Sequence, residues 1–284
     1  MSSVEILYKP TIKSNLRALL AVARRDWLRY WRYPLNAITS LFQPLIWLTP
    51  VYFMGQVFSV NGKALGFAAF SGTSDYMSFI ILGSVLGNLI GAVFWGMGYS
   101  LKEEMDAGVL ESSWLAPVPK LVLLVGHTLT NLGISVILSL AILLVAGLVF
   151  GFHAGGNVLG AVLTVIPMLV GLYGFGFAFA SLVLIMRDSN TMVDVSDFLV
   201  QTLSGSSFPV NSMPRWLLPI SLAIPITYAY DAVRGWLLKT KTLLPIPVEI
   251  GLLLVFMVIA LFLGTRVFNA LEKRVRTRGT LGQF

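Results

Sequence analysis

Six apolar stretches, at about 35–58, 77–99, 120–150, 157–186, 191–209 and 246–268, set the solvent in which this chain must fold. A helix crosses about 30 Å of hydrocarbon with roughly 20 predominantly apolar residues, and these runs supply that length or come close to it. Composition excludes a water-soluble fold. The 284 residues are 56% apolar and 12% charged, with a mean hydropathy of +0.82. A globular domain is about 45–50% apolar and about 25% charged, and its surface needs more polar side chains than this chain owns. The expected fold is an all-α membrane protein of six transmembrane helices, with an N-terminal interfacial amphipathic helix and re-entrant helices between spans five and six. Residues 1–33 form the N-terminal segment and 34–284 a single transmembrane domain.

The third and fourth runs exceed the bilayer thickness, which implies tilt or extension beyond it; the fifth is short and polar. Segment 210–245 is apolar but broken by Pro214, Pro219, Pro225 and Pro245. It is too interrupted for one span and too apolar for a free loop. Short re-entrant or interfacial helices fit it, provided that protein or a water cavity satisfies their backbone.

Lysine and arginine counts give the topology. With the N-terminus inside, the inner segments carry 15 of the 20 basic residues and the outer ones five, namely Lys63, Arg215, Arg234, Lys239 and Lys241. That asymmetry predicts a multi-pass protein of the cell membrane with both termini cytoplasmic. The first 33 residues show no apolar leader before a small-residue cleavage site, so the first span is expected to act as the insertion signal. Zero cysteines exclude disulfides, thiol catalysis and thiolate metal sites. In 14–33, Leu16, Leu19, Leu20, Ala23, Trp27, Tyr30 and Trp31 recur at helical spacing with arginines elsewhere around the wheel. Such a helix lies in the headgroup plane, and Pro34 ends it.

Segment 100–119 is the most informative polar stretch. Ser100 and Glu103 have capping-box spacing, which predicts a short helix over about 100–115, stopped by Pro117 and Pro119. Glu104, Gly108 and Glu111 share one of its faces. A glycine inside a helix costs about 1 kcal/mol relative to alanine, so Gly108 suggests a close backbone approach. Gly83, Gly87 and Gly91 form a small-residue ridge of the kind that lets helices touch in lipid, and Gly174/Ala178 with Gly176/Ala180 repeat it. In the fifth run Asp194, Asp197, Gln201 and Ser204 line one face. Two readings stand for the aspartates: groups on a transport pathway, or headgroup-level anions at a helix start. Gln201 and Ser204 are the better pathway candidates. In 208–238, Asp231 and Arg234 have the spacing to pair. No phosphate-binding GxxxxGK[ST] motif is present, and His127 and His153 stand apart from any metal-ligand spacing, so no catalytic or metal-binding residue is predicted.

Three motifs carry a resemblance. ARRDWLRYWRYP (23–34), KEEMDAGVLESSWLAPV (102–118) and SGSSFPVNSMPRWLLPISLAIPITYAYDAVRGWL (204–237) are similar to the interfacial helix, first cytoplasmic loop and closing signature of ABC type-2 transporter permeases, particularly daunorubicin-resistance-type exporters. Val109 departs from the threonine usual in that loop. The resemblance implies a homodimer or heterodimer of six-span subunits working with a separate ATPase subunit, which binds ATP and Mg, so that this chain needs no cofactor. It implies coupling to the ATPase through Glu103, Glu104, Gly108 and Glu111, with Arg25 of the interfacial helix. It also implies a translocation path at Asp197, Gln201 and Ser204, and an extracellular gate over 210–238 drawing on Phe208, Pro209, Pro214, Pro225, Tyr228, Asp231 and Arg234. The expected function is export of a hydrophobic or amphipathic drug, lipid or lipid-linked glycan. An ATP-independent secondary transporter or channel is the rival, but the inverted repeat that such folds show is not visible. A lipid-modifying enzyme would cluster catalytic groups at one depth, against which the isolated histidines argue.

Overall fold

The computed structural model describes residues 11–59, 64–106, 108, 113, 115–116, 118–152, 154–186 and 190–278, and every regular element among them is helical. Helix α1 (Ile12–Arg32) opens on a reciprocal cap in which Thr11 and Ser14 each accept the other's backbone N–H. It stops at Tyr33 because Pro34 begins a new helix, α2 (Pro34–Phe58), at the first helical position, where the missing N–H costs nothing. There follow α3 (Leu65–Ser71), α4 (Tyr76–Asp106), α5 (Lys120–Val149), α6 (Val158–Met186) and α7 (Asn190–Leu203). A 3-10 turn at Val210–Ser212, α8 (Leu218–Ala223), α9 (Ile226–Leu238) and α10 (Ile246–Arg278) complete the chain.

Among the described residues, α4, α5, α6 and α10 are long and apolar enough to cross a membrane, and α2 adds a shorter apolar stretch at Ile46–Phe58. Helix α4 occupies the centre: Ile81, Leu86, Ile90, Val93 and Met97 are buried along it. By contrast Leu140, Leu144 and Leu148 of α5 and Val255, Val258 and Phe262 of α10 point outward. Apolar side chains on the outer wall are ordinary where the surroundings are hydrocarbon, and packing between helices then depends on close contact rather than on expelling water.

That contact is tightest between α6 and α10. A Cβ on Gly264 would lie 1.7 Å from the Gly174 carbonyl oxygen, and one on Gly174 would lie 2.3 Å from the Ala260 carbonyl carbon. Gly176, on the other ridge of α6, faces Met97 of α4. The paired small residues of the fourth run thus serve two neighbours. Gly264→Ala is expected to cost about 1–3 kcal/mol, as overpacking does in well-packed interiors. It should appear as a lower thermal midpoint of the purified protein; an unchanged midpoint would show that the two helices can separate freely.

Three local expectations change. Ser100 does not start a helix. Nothing breaks the backbone before it, so α4 continues through Ser100 to Asp106, and the Ser100 hydroxyl is buried with no protein partner among the described residues. Gly108 adopts a left-handed φ of +65° with open space where a Cβ would stand. Backbone conformation, rather than a close approach, is what suits glycine there. The fifth run ends as helix at Leu203, short of residue 209, and the last helix extends to Arg278.

Candidate functional site

The first cluster forms where α1 crosses the ends of α4 and α5. Gly126 lets α1 lie close, since its Cβ would be 3.0 Å from Val22, and Thr130 donates to the Ala23 carbonyl at 2.9 Å. This contact brings the lone acid of α1, Asp26, to His127. The ring lies between two carboxylates, with Nδ1 2.5 Å from Asp26 Oδ2 and Nε2 3.3 Å from Glu104 Oε1. Ionised carboxylates only accept hydrogen bonds, so the arrangement is satisfied when both ring nitrogens carry protons. Arg25 joins both acids, through Nε 3.0 Å from Asp26 Oδ1 and Nη2 3.7 Å from Glu104 Oε1. Arg29 pairs with Glu103.

Burial alone would raise the Asp26 carboxyl, but the hydrogen bond and charge of His127, with those of Arg25, prevail and hold it below its ordinary range. A depressed acid stabilises the fold above its unfolded value and loses that contribution as pH falls through the folded one. The anchor is therefore at full strength near neutrality. Exposed ion pairs such as Arg29–Glu103 contribute about 0–1 kcal/mol each, so the buried histidine centre dominates.

By spacing His127 stands alone; in space it is the hub that joins α1, α4 and α5. Asp26, the single acid among five arginines of α1, was the available signal for it. Of the residues assigned to coupling, Arg25, Glu103 and Glu104 meet here. Gly108 turns the chain just beyond, and Ser113 donates back to Glu104 at 3.4 Å. Glu111 and His153 lie outside the described residues.

The second feature is a register between α4 and α7, which run antiparallel. A Cβ on Gly98 would meet Val193 at 2.3 Å, one on Gly91 would meet Asp197 at 3.6 Å, and one on Gly87 would meet Gln201 Oε1 at 2.5 Å. On Gly83 it would fall 1.8 Å from the Ser206 carbonyl oxygen. The glycine ridge thus receives the polar face of α7. Gln201 Nε2 donates to both oxygens of Asp197 at 2.8 and 2.9 Å, and Ser204 is fully buried. Asp197, Gln201 and Ser204 consequently face α4 inside this subunit, while Val195, Phe198 and Leu199 form the exposed face of α7. Asp194 is exposed.

The third feature is Arg234 on α9, buried to 3% exposure. Its guanidinium donates to the carbonyls of Gly205 at 2.7 Å, Ser206 at 2.6 Å and Phe79 at 3.3 Å, and it stacks 3.4 Å from the Phe79 ring centroid. The expected Asp231–Arg234 pair is not among the described ion pairs. The helix end at Leu203 leaves carbonyls for which the fork of donors is the nearer match. Asp231 accepts instead from Leu243 N–H at 2.5 Å, beside Glu249, which accepts from Leu244 N–H at 3.1 Å. Glu249, absent from the sequence-based set, is the acid in the first turn of α10.

The remaining residues assigned to the gate cluster around the same turn. Pro209 is buried, Phe208 partly so and Pro214 exposed. Pro225 precedes α9, and Tyr228 donates to the Leu222 carbonyl at 2.8 Å. Ser221 of α8 donates to the Leu203 carbonyl at 2.5 Å and Thr227 to the Ser221 carbonyl at 2.7 Å, tying α7, α8 and α9 together.

A helical membrane bundle with a charged foot and a bonded cap between its last helices describes a multi-pass membrane protein. Residues 17–238 match the ABC-2 type transporter family, and the chain belongs to that family. It is similar to the probable doxorubicin resistance ABC transporter permease protein DrrC of Mycobacterium tuberculosis, 27% identical over 182 residues; the match spans 62% of each chain. It is also similar to the daunorubicin resistance ABC transporter permease protein DrrB1 of Streptomyces coeruleorubidus, 23% identical over 80% of this chain and 77% of that one. Nodulation protein J of Rhizobium meliloti is 26% identical, over 93% and 97% respectively.

Proposed function

We propose that the chain is the permease subunit of an ATP-driven exporter. In this reading it spans the membrane six times with both termini in the cytoplasm, pairs with a second permease, and depends on a separate subunit to hydrolyse ATP. The observation that carries the proposal is the foot. Helix α4 leaves the apolar bundle as one uninterrupted helix to Asp106 and is bound there to α1 through Glu103 and Glu104. A continuous helix transmits a push on its end to the glycine ridge against α7, and packed interfaces of this kind switch between discrete arrangements rather than bending smoothly. Gly108 and Glu111, following directly, belong to the docking surface in this reading.

The cap favours re-entrance. Helix α7 has 14 residues, about 21 Å at 1.5 Å per residue, so in this reading the fifth crossing is completed by the turn and short helices that follow it rather than by α7 alone. The chain then turns beside Gly83, seven residues into α4, about 10 Å below that helix's outer end. Arg234 holds the turn at this depth. Phe208, Pro209, Pro214, Pro225, Tyr228 and Asp231 surround it as the extracellular gate, and the contact of Asp197, Gln201 and Ser204 with α4 is the seam that opens towards the path. The names of the relatives favour a hydrophobic or amphipathic drug as cargo, with lipid or lipid-linked glycan as further members of the same chemical class.

The test is reconstitution. In proteoliposomes, export of an amphipathic fluorescent drug should require this chain, an ATP-binding subunit that co-purifies with it, and ATP. Charge reversal at Glu111 should abolish the co-purification. Transport by this chain alone, driven by an ion gradient, would overturn the proposal in favour of a secondary transporter.

A further inference from the structure

Two cavities adjoin between α1, α2 and α5, and they differ in chemistry. The first, about 500 Å³, is lined by Asp26, Arg29, Tyr33, Glu103, Thr130 and Asn131. The second, about 240 Å³, is lined by Trp31, Ile38, Phe42, Ile137 and Leu138. Tyr30 and Ile134 belong to both walls, so the polar chamber passes into the apolar slot around a common edge. Together they fall in the size range of small-molecule sites, about 300–1,000 Å³. The slot faces outward: Ile38 and Phe42 are each 53% exposed and Ile137 41%. In a membrane-embedded chain that opening meets lipid tails, at the end of the bundle where α1 lies.

The geometry points to a lateral binding site for an amphiphile whose head is polar but carries no net charge. A molecule that fills both chambers matches their linings by being apolar along one part and hydrogen-bonding at the other. The charge preference follows from pairing. Arg29 is neutralised by Glu103, and Asp26 by His127 and Arg25. The chamber offers hydroxyl, amide and already-paired charged groups with no surplus charge for an ionic head. Tyr30 and Tyr33 add amphipathic rings, suited to a wet, polar boundary. The site rests on the membrane-embedded reading but not on the ATP-driven one.

The chain alone, in nanodiscs of phosphatidylglycerol, whose own heads are charged, is labelled with diazirine-bearing decyl probes that differ only in the head: glucosyl, sulfate or trimethylammonium. The glucosyl probe should label segments 38–42 and 134–138 about tenfold above the lipid-facing segment 255–263 of α10, and above either charged probe. Ile134→Trp and, from the opposite wall, Ile38→Trp should each remove most of that excess; two variants on different helices guard against failure of one to fold. Even labelling of all outer helices, equal labelling by the charged probes, or excess labelling that survives both tryptophans would each overturn the site. Addition of the ATP-binding subunit and ATP identifies the source of the amphiphile: label that clears on turnover marks an exported cargo, and label that persists marks a resident lipid, each being an occupant of the proposed chemistry.

Discussion

Arg234→Met is expected to lower the stability of the purified protein by about 3 kcal/mol or more, since each buried group left without its hydrogen bond costs about 1–3 kcal/mol and three carbonyls lose their donor at once. Methionine keeps the length and the packing against Phe79, so the loss isolates the guanidinium. At roughly 2–4 °C per kcal/mol for chains above 150 residues, the thermal midpoint should fall by about 6–12 °C. Arg234→Lys should rescue little, because one compact ammonium cannot bridge Gly205, Ser206 and Phe79 as a planar fork does. The consequence extends to function under the exporter reading. The turn at Gly205–Ser206 would no longer be held beside Gly83, and the gate would lose its fixed depth. Equal midpoints for Arg234→Met and the unsubstituted protein would mean that water replaces the guanidinium at no cost, and the turn would then have some other anchor.

How far the sequence discloses this molecule depends on whether the governing interaction is local. Runs of apolar residues are local, and the expected spans 120–150 and 157–186 coincide with α5 and α6 to within a residue at each end. Proline is local too: the break at Pro34 is where α1 gives way to α2. The expected fifth run reaches 209 because its apolar content, averaged over a span, bridges the polar Ser204-Gly205-Ser206-Ser207, whereas the backbone turns at Gly205, whose φ of +78° ends the helix. Ser100 misled for the complementary reason. Its spacing to Glu103 suits a cap, but a cap needs a non-helical residue before it, and α4 supplies none. The site was legible as a set of residue types and not as a set of pairings. Arg25, Glu103 and Glu104 could be assigned to one end of the bundle from topology and resemblance. That Asp26 reaches His127, 101 positions away, depends on how α1 crosses α5, which Gly126 permits but no spacing announces. The same holds for Gly83, Gly87 and Gly91: their ridge predicts a close neighbour without saying that the neighbour is the polar face of α7.

His127→Ala is expected to have the second large effect. The substitution leaves Asp26 and Glu104, both largely buried, without the cation between them. Removing one member of a buried, hydrogen-bonded ionic group costs about 3–5 kcal/mol, and Arg25, still near both acids, keeps the figure at the lower end of that range. The loss should concentrate in α1, seen as faster backbone hydrogen exchange over 23–29 with little change in α6 and α10, which pack chiefly against each other. Under the exporter reading, in which α1 braces the end of α4, ATP hydrolysis stimulated by a drug in the assembly with an ATP-binding subunit should fall at least about tenfold, the activity change that corresponds to 1.4 kcal/mol in a barrier. His127→Lys restores a positive charge but not two opposed donors in one plane, and should recover stability more than activity. Asp26→Asn, which keeps an acceptor for Nδ1 and removes one of the two negative charges, should fall between the unsubstituted protein and His127→Ala. If His127→Ala left exchange over α1 unchanged, the ring would be a passenger at the helix crossing, and the brace between α1 and α4 would reduce to the exposed Arg29–Glu103 pair, too weak by itself to carry a push from the end of α4 into the bundle.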